Sequence, residues 1–194
     1  MAKEKTNKTA NPNIKIRKYL AGGNQTKITP EIQRLADMVV KGELEQTYSQ
    51  IMHIIHQLEI RRDKGDLLNT RTADQIINSG FWTGCTDMAL AFTAISRAAG
   101  IPVKIVETVD KTWLVGDNEG AVSGHVYVKT YDGKAKRWVL TDPTKKYFDI
   151  EMPTERIMVS EGVDVWGMGM KNRQEKLTVL KEFRTEWRSK NNLG

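Results

Sequence analysis

The chain is poor in cysteine, in long apolar runs and, near its start, in acidic side chains. Cys85 is the single cysteine among 194 residues. It excludes an internal disulfide framework, so folding requires no oxidising export, and it argues against a cysteine-based zinc centre. No apolar run reaches the roughly 18 residues of a membrane span. The basic N-terminus has no apolar stretch of the signal-peptide kind, which makes a cytoplasmic location the expectation. A mature chain whose signal had been removed would read the same. Acidic residues are scarce early: residues 1–30 carry seven basic side chains against Glu4 alone. That segment accounts for the whole net charge of +6, and for most of the sequence pI of about 9.3. Tyr19 is its one aromatic residue, and no nucleic-acid-binding motif follows it. A solvated, flexible leader over residues 1–29 is expected, with no nucleic acid as partner. Internal repeats, a P-loop and a dinucleotide fingerprint are absent as well.

What is present fits a single domain over residues 30–194, whose hydrophobic content of 39% supports a real core. Thr29-Pro30-Glu31 starts a helix, with a capping Thr, Pro at the first position and an acid next. A second helix is expected from about Glu43 to Arg62, with Leu44, Tyr48, Ile51, Ile55 and Leu58 as its apolar stripe. His53, His56 and Glu59 share that segment. Their spacing departs from the i, i+4 histidine pair of zinc proteases, so they read as a polar helix face; no metal and no cofactor are expected. A short helical stretch from Thr72 leads into Ser79–Pro102. There Gly80 and Gly84 precede Cys85, Thr86 and Asp87 favour an opening helical turn, and Gly100 with Pro102 ends the helix. Cys85 is thus expected at the N-terminus of a buried helix, where free N–H groups and the helix dipole favour a thiolate.

After Pro102 the period changes. Val103–Val106 reads as a strand, which Lys111–Val115 continues or pairs with, and Gly116–Gly120 reads as a turn. Ser123–Tyr131 alternates as a strand, Asp132-Gly133 reads as a hairpin turn, and Arg137–Asp142 is the partner strand. Beyond Pro143 the chain reads as irregular until a last helix over residues 173–189. Leu177, Leu180, Phe183 and Trp187 form the stripe of that helix. Helices followed by a strand meander imply an α+β fold with an antiparallel sheet. His125 and Asp142 would lie at the same open end of the hairpin. If the N-terminus of the Cys85 helix packs there, Cys85, His125 and Asp142 form a nucleophile, a base and an orienting carboxylate.

Gly-Cys-Thr-Asp-Met-Ala before Arg-Ala-Ala-Gly-Ile-Pro, then Gly-His-Val-Tyr-Val, then Trp-Val-Leu-Thr-Asp-Pro-Thr, resembles the transglutaminase-like superfamily over about residues 72–147. The resemblance implies a papain-like thiol fold with its triad on Cys85, His125 and Asp142. It also implies chemistry on peptide or protein amides through a thioester: proteolysis, deamidation or crosslinking. A catalytically silent binding module of the same fold is the alternative. The chain is too short for the additional β-domains of animal transglutaminases, so their calcium dependence is not carried over. Those enzymes use an upstream aromatic side chain as an oxyanion donor; Trp82 lies near Cys85, and neither it nor Gln75 is assigned to that role.

Overall fold

The computed structural model describes residues 16–40, 42–117 and 122–193. The first half of the proposed leader and most of the Gly116–Gly120 turn lie outside the described residues.

Helix α1 (Pro30–Asp37) starts as expected, with the Thr29 side chain accepting from the Ile32 amide. Helix α2 spans Leu44–Ile55 and buries Tyr48, Ile51, Met52 and Ile55. It stops earlier than its apolar stripe suggests. The chain turns at His56, and Glu59–Ile60 (β1) pairs in parallel with Phe81–Trp82 (β2). Between these short strands lie a 3-10 segment, Arg62–Leu67, and α3 (Ala73–Ser79). Thr72 and Gln75 form a reciprocal capping box on α3, so Gln75 serves as a helix cap. Helix α4 (Cys85–Ala98) is apolar on nearly every side, because it is covered on nearly every side. Helices α1, α2 and α3 pack on it, and the sheet closes the remaining face.

That sheet has five antiparallel strands in the order β6-β5-β4-β3-β7. They are β3 (Val103–Asp110), β4 (Gly124–Asp132), β5 (Arg137–Asp142), β6 (Tyr147–Ile150) and β7 (Arg156–Gly162). Ile105, Val126 and Val128 meet the α4 residues in the main core, while Val106, Tyr127 and Leu140 form a smaller cluster. Helix α6 (Arg173–Lys190) closes the structure. Its Leu180 packs with Val109, Trp113 and Leu114, flanked by Phe183 and Trp187.

Four sequence expectations are corrected. Lys111–Val115 is not strand but a short helix (α5), started by the Asp110 side chain accepting from the Thr112 amide. The β4–β5 connection is longer than Asp132-Gly133. Asp132 pairs with Arg137, its carboxylate accepts from the Lys134 and Ala135 amides, and Lys136 takes a positive φ of 55°. The region after Pro143 contains β6 and β7, which become the two edges of the sheet.

The leader, finally, does not stay free up to residue 29. Tyr19, Gln25 and Thr26 are buried. The Gln25 amide side chain donates to the carbonyls of Asn69 and Arg71 at 2.9 Å each and accepts from the Trp166 amide at 3.2 Å. Arg97, near the end of α4, donates to the carbonyls of Tyr19, Val103 and Val163 and to the Thr26 hydroxyl. These bonds satisfy buried polar groups, so a polar segment can pack without an apolar stripe.

Candidate active site

The turn before Cys85 is held by a buried ion pair. Arg71 donates to Asp87 at 2.5 Å, and the two side chains are 9% and 1% exposed. The same Asp87 oxygen accepts from the backbone amide and the hydroxyl of Thr83, both at 2.8 Å. Asp87 lies in the first turn of α4, so it ties the incoming chain to its own helix. Arg71 also stacks on Phe81, 4.5 Å from the ring centroid, and donates to the Ser79 hydroxyl. Gly84 is the N-cap and has no side chain to offer the helix. The backbone N–H of Cys85, the first of the helix, has no acceptor among the described residues. A half-buried thiol and a free N–H thus sit together at the positive end of a 14-residue helix.

His125 is the second residue of β4, and Asp142 ends β5. The register places Val128 opposite Thr141, so the two side chains meet at the same end of the strand pair. His125 Nε2 lies 2.8 Å from Asp142 Oδ2, and Asp142 is 1% exposed. The other carboxylate oxygen accepts from the amides of Thr144 and Lys145 at 3.0 and 3.2 Å. The loop carrying these amides is pinned from α2. His56 Nε2 donates to the Pro143 carbonyl at 2.8 Å, and the Tyr48 hydroxyl donates to the Tyr147 carbonyl at 3.0 Å. His56 is thereby a loop anchor, and no group of three potential metal ligands occurs among the described residues. Tyr127 meets the His125 ring edge-on, with centroids 4.6 Å apart.

The three sequence-predicted residues therefore come together. The His125 side chain is hydrogen-bonded to Asp142 and lies near enough to Cys85 for each to shift the other's pKa. Because Asp142 occupies Nε2, Nδ1 is the ring nitrogen left to face the thiol. Burial alone would raise the Cys85 pKa. His125 and the nearby Lys176 ammonium outweigh burial and hold it below the ordinary thiol value. For His125, burial works against the charged form, but Asp142 and Cys85 dominate and raise its pKa to about 9.

One contributor was not found in the sequence. Lys176, in the first turns of α6, donates to Glu107 of β3 at 2.9 Å, with side chains 9% and 0% exposed. Burial pushes Glu107 above the usual carboxylate range, with Lys176 pulling the other way. Lys176 keeps its charge despite burial, because the Glu107 carboxylate and the Cys85 thiolate both face it. Gly124 provides the clearance. A Cβ there would lie 3.2 Å from Glu107 Oε1, tighter than most side-chain contacts. Lys176 follows Cys85 by 91 residues, so only the fold brings them together.

A thiol on a helix N-terminus, packed against an antiparallel sheet whose adjoining strands supply a histidine and a carboxylate, defines a mixed α/β thiol fold of the papain-like kind. The chain belongs to the Transglutaminase-like superfamily, whose family model matches residues 26–143. Among solved structures it is similar to a protein from Cytophaga hutchinsonii described as a putative cysteine protease. The TM-score is 0.60 at 18% identity, over 80% of this chain and 51% of that one. That likeness establishes the fold, and this chain spans about half the length of that protein. None of the curated proteins matches the chain. Helix α6, with Lys176, lies outside the family-matched region.

Proposed function

We propose that the protein is a cysteine-dependent amide hydrolase or acyltransferase acting on peptides or proteins, with hydrolysis as the favoured outcome. The observation that carries this reading is the placement of His125, hydrogen-bonded to Asp142, beside Cys85 at the N-terminus of α4.

In this mechanism the Cys85 thiolate, paired with the His125 imidazolium, attacks the carbonyl carbon of an amide. The carbonyl π electrons move to oxygen, and the free N–H of Cys85 donates to the oxyanion. The intermediate collapses with cleavage of the C–N bond. His125 gives its Nδ1 proton to the departing amine and leaves a thioester. Water then attacks the thioester while His125 takes its proton, and collapse frees the acid and restores the Cys85 thiolate beside the His125 imidazolium. An amine in place of water gives transfer. Asp142 keeps the Nε2 proton in place, so that Nδ1 is the nitrogen that exchanges protons with sulfur and substrate.

The test is mass spectrometry of a peptide library incubated with wild-type protein and with Cys85→Ala, each with and without a primary amine. Fragments mean proteolysis, a gain of one dalton means deamidation, and amine adducts mean transfer. Each product is expected from the wild type only. Equal product from Cys85→Ala would remove the nucleophile assignment.

A further inference from the structure

A cavity of about 490 Å³ opens beside Cys85. Its lining includes Leu68, from the loop after the 3-10 segment, and one face of α6. Arg173, Lys176, Leu177 and Leu180 of that helix line the space, spaced i, i+3, i+4 and i+7, which is one helix face. The face has two characters. Leu177 and Leu180, with Leu68 and Val122, supply the apolar part of the lining. Arg173, the first residue of α6, is exposed at its rim and has no ion-pair partner among the described residues. Among the described residues no acidic side chain lines the cavity. The charge of Lys176 is already engaged by Glu107, which leaves Arg173, among the described lining residues, as the cation open to a ligand.

We propose that this cavity seats the substrate beside the scissile bond, and that it selects peptides with an aliphatic side chain next to a carboxylate. The aliphatic group meets Leu68 and the leucines of α6, and the carboxylate meets Arg173. This inference rests on Cys85 as the nucleophile, because the cavity matters to catalysis only if chemistry occurs at its mouth. The pocket is of the size and mixed lining that small ligands and side chains use. Its selectivity comes from an element beyond the family-matched residues 26–143.

The experiment compares two peptides that differ only in charge, one with Leu followed by Glu and one with Leu followed by Lys. Each is assayed for protection of Cys85 against iodoacetamide and, separately, for turnover. The acidic peptide is expected to protect at lower concentration. Arg173→Glu is the decisive variant. Position 173 is exposed in the first turn of α6, where an acid suits the helix dipole, so the fold is kept. It should reverse the preference, changing the ratio of protecting concentrations by about tenfold, since each exposed charge contact contributes a few-fold and two change sign. A ratio unchanged by Arg173→Glu overturns the pocket assignment. Protection with the expected reversal but no turnover upholds the pocket and removes the proposed catalysis. Turnover without charge discrimination does the opposite.

Discussion

Replacing Asp142 by Asn changes one oxygen into an NH₂ group, and the surroundings dictate where that group must go. One carboxylate oxygen accepts from two backbone amides, those of Thr144 and Lys145, and the other faces His125 Nε2. The two amides are fixed by the turn and can only donate, so the asparagine oxygen stays with them. The NH₂ then points at Nε2, which must become an acceptor. The imidazole proton moves to Nδ1 in the neutral ring, and His125 can no longer take the proton of Cys85. The site is buried, Asp142 being 1% exposed, so water cannot substitute for the lost acceptor. A fall in kcat of about 10³ to 10⁴ is expected, by analogy with tautomer loss in other triads. It corresponds to roughly 4–5.5 kcal/mol of barrier. Steady-state kinetics on a peptide amide gives the rate, and circular dichroism checks the fold. The pH profile adds a second readout. In the wild type, activity falls as pH rises through about 9, when His125 loses its proton. With Asn that alkaline limb moves to lower pH, because the carboxylate no longer holds the proton on the ring. Retention of more than about a tenth of wild-type kcat would refute the tautomer argument. Asp132 and Asp149 offer no replacement: the first accepts from amides of its own turn, and the second pairs with Arg137.

Three further outcomes follow from the neighbours of the triad. Lys176→Met should shift the acid limb of Cys85 alkylation to higher pH and destabilise the fold by about 3 kcal/mol, because Glu107 is left buried and unpaired. Adding Glu107→Gln should recover stability in denaturant titration and return the limb only part of the way, since the Glu107 carboxylate itself raises the Cys85 pKa. His56→Ala should lower kcat about tenfold with little change in KM, since the Pro143 carbonyl loses its anchor and the Asp142 loop gains freedom; His56→Gln should retain most activity if its amide reaches the same carbonyl. Arg71→Met strands Asp87 in the core with only its Thr83 bonds, at a cost of about 3 kcal/mol. Calorimetry should show a Tm lower by about 10 °C, partly restored by adding Asp87→Asn.

The residues that make the site differ in how legible they are from sequence. Cys85, His125 and Asp142 each sit beside a local signal: Gly84 before a helix, Gly124 before an alternating strand, Pro143 after one. The helix and strands they mark have local periodicity, so α4, β4 and β5 could be read directly. Lys111–Val115 could not, because five residues are too few to separate a helical turn from a strand, and the deciding contact is the Asp110 cap. Strands β6 and β7 carry no strong alternation; they are strands because β5 and β3 present unpaired edges to them. Gln25 and Thr26 look like solvated linker residues, yet hydrogen bonds to carbonyls and side chains far along the chain bury them completely. Lys176 and Arg173 belong to a helix whose apolar stripe was clear, but its opposite partners, Glu107 and Cys85, are visible only in three dimensions.

The central claim is that Cys85 is a preformed thiolate held by His125. The most direct measurement is the rate of Cys85 alkylation by iodoacetamide across the pH range, followed by intact mass, in the wild type and in His125→Ala. A poised pair predicts rapid modification already at about pH 6, well below the ordinary thiol pKa near 8.5. It also predicts a collapse of that low-pH reactivity in His125→Ala. A wild-type profile rising with an ordinary thiol midpoint, and unchanged by His125→Ala, would contradict the account.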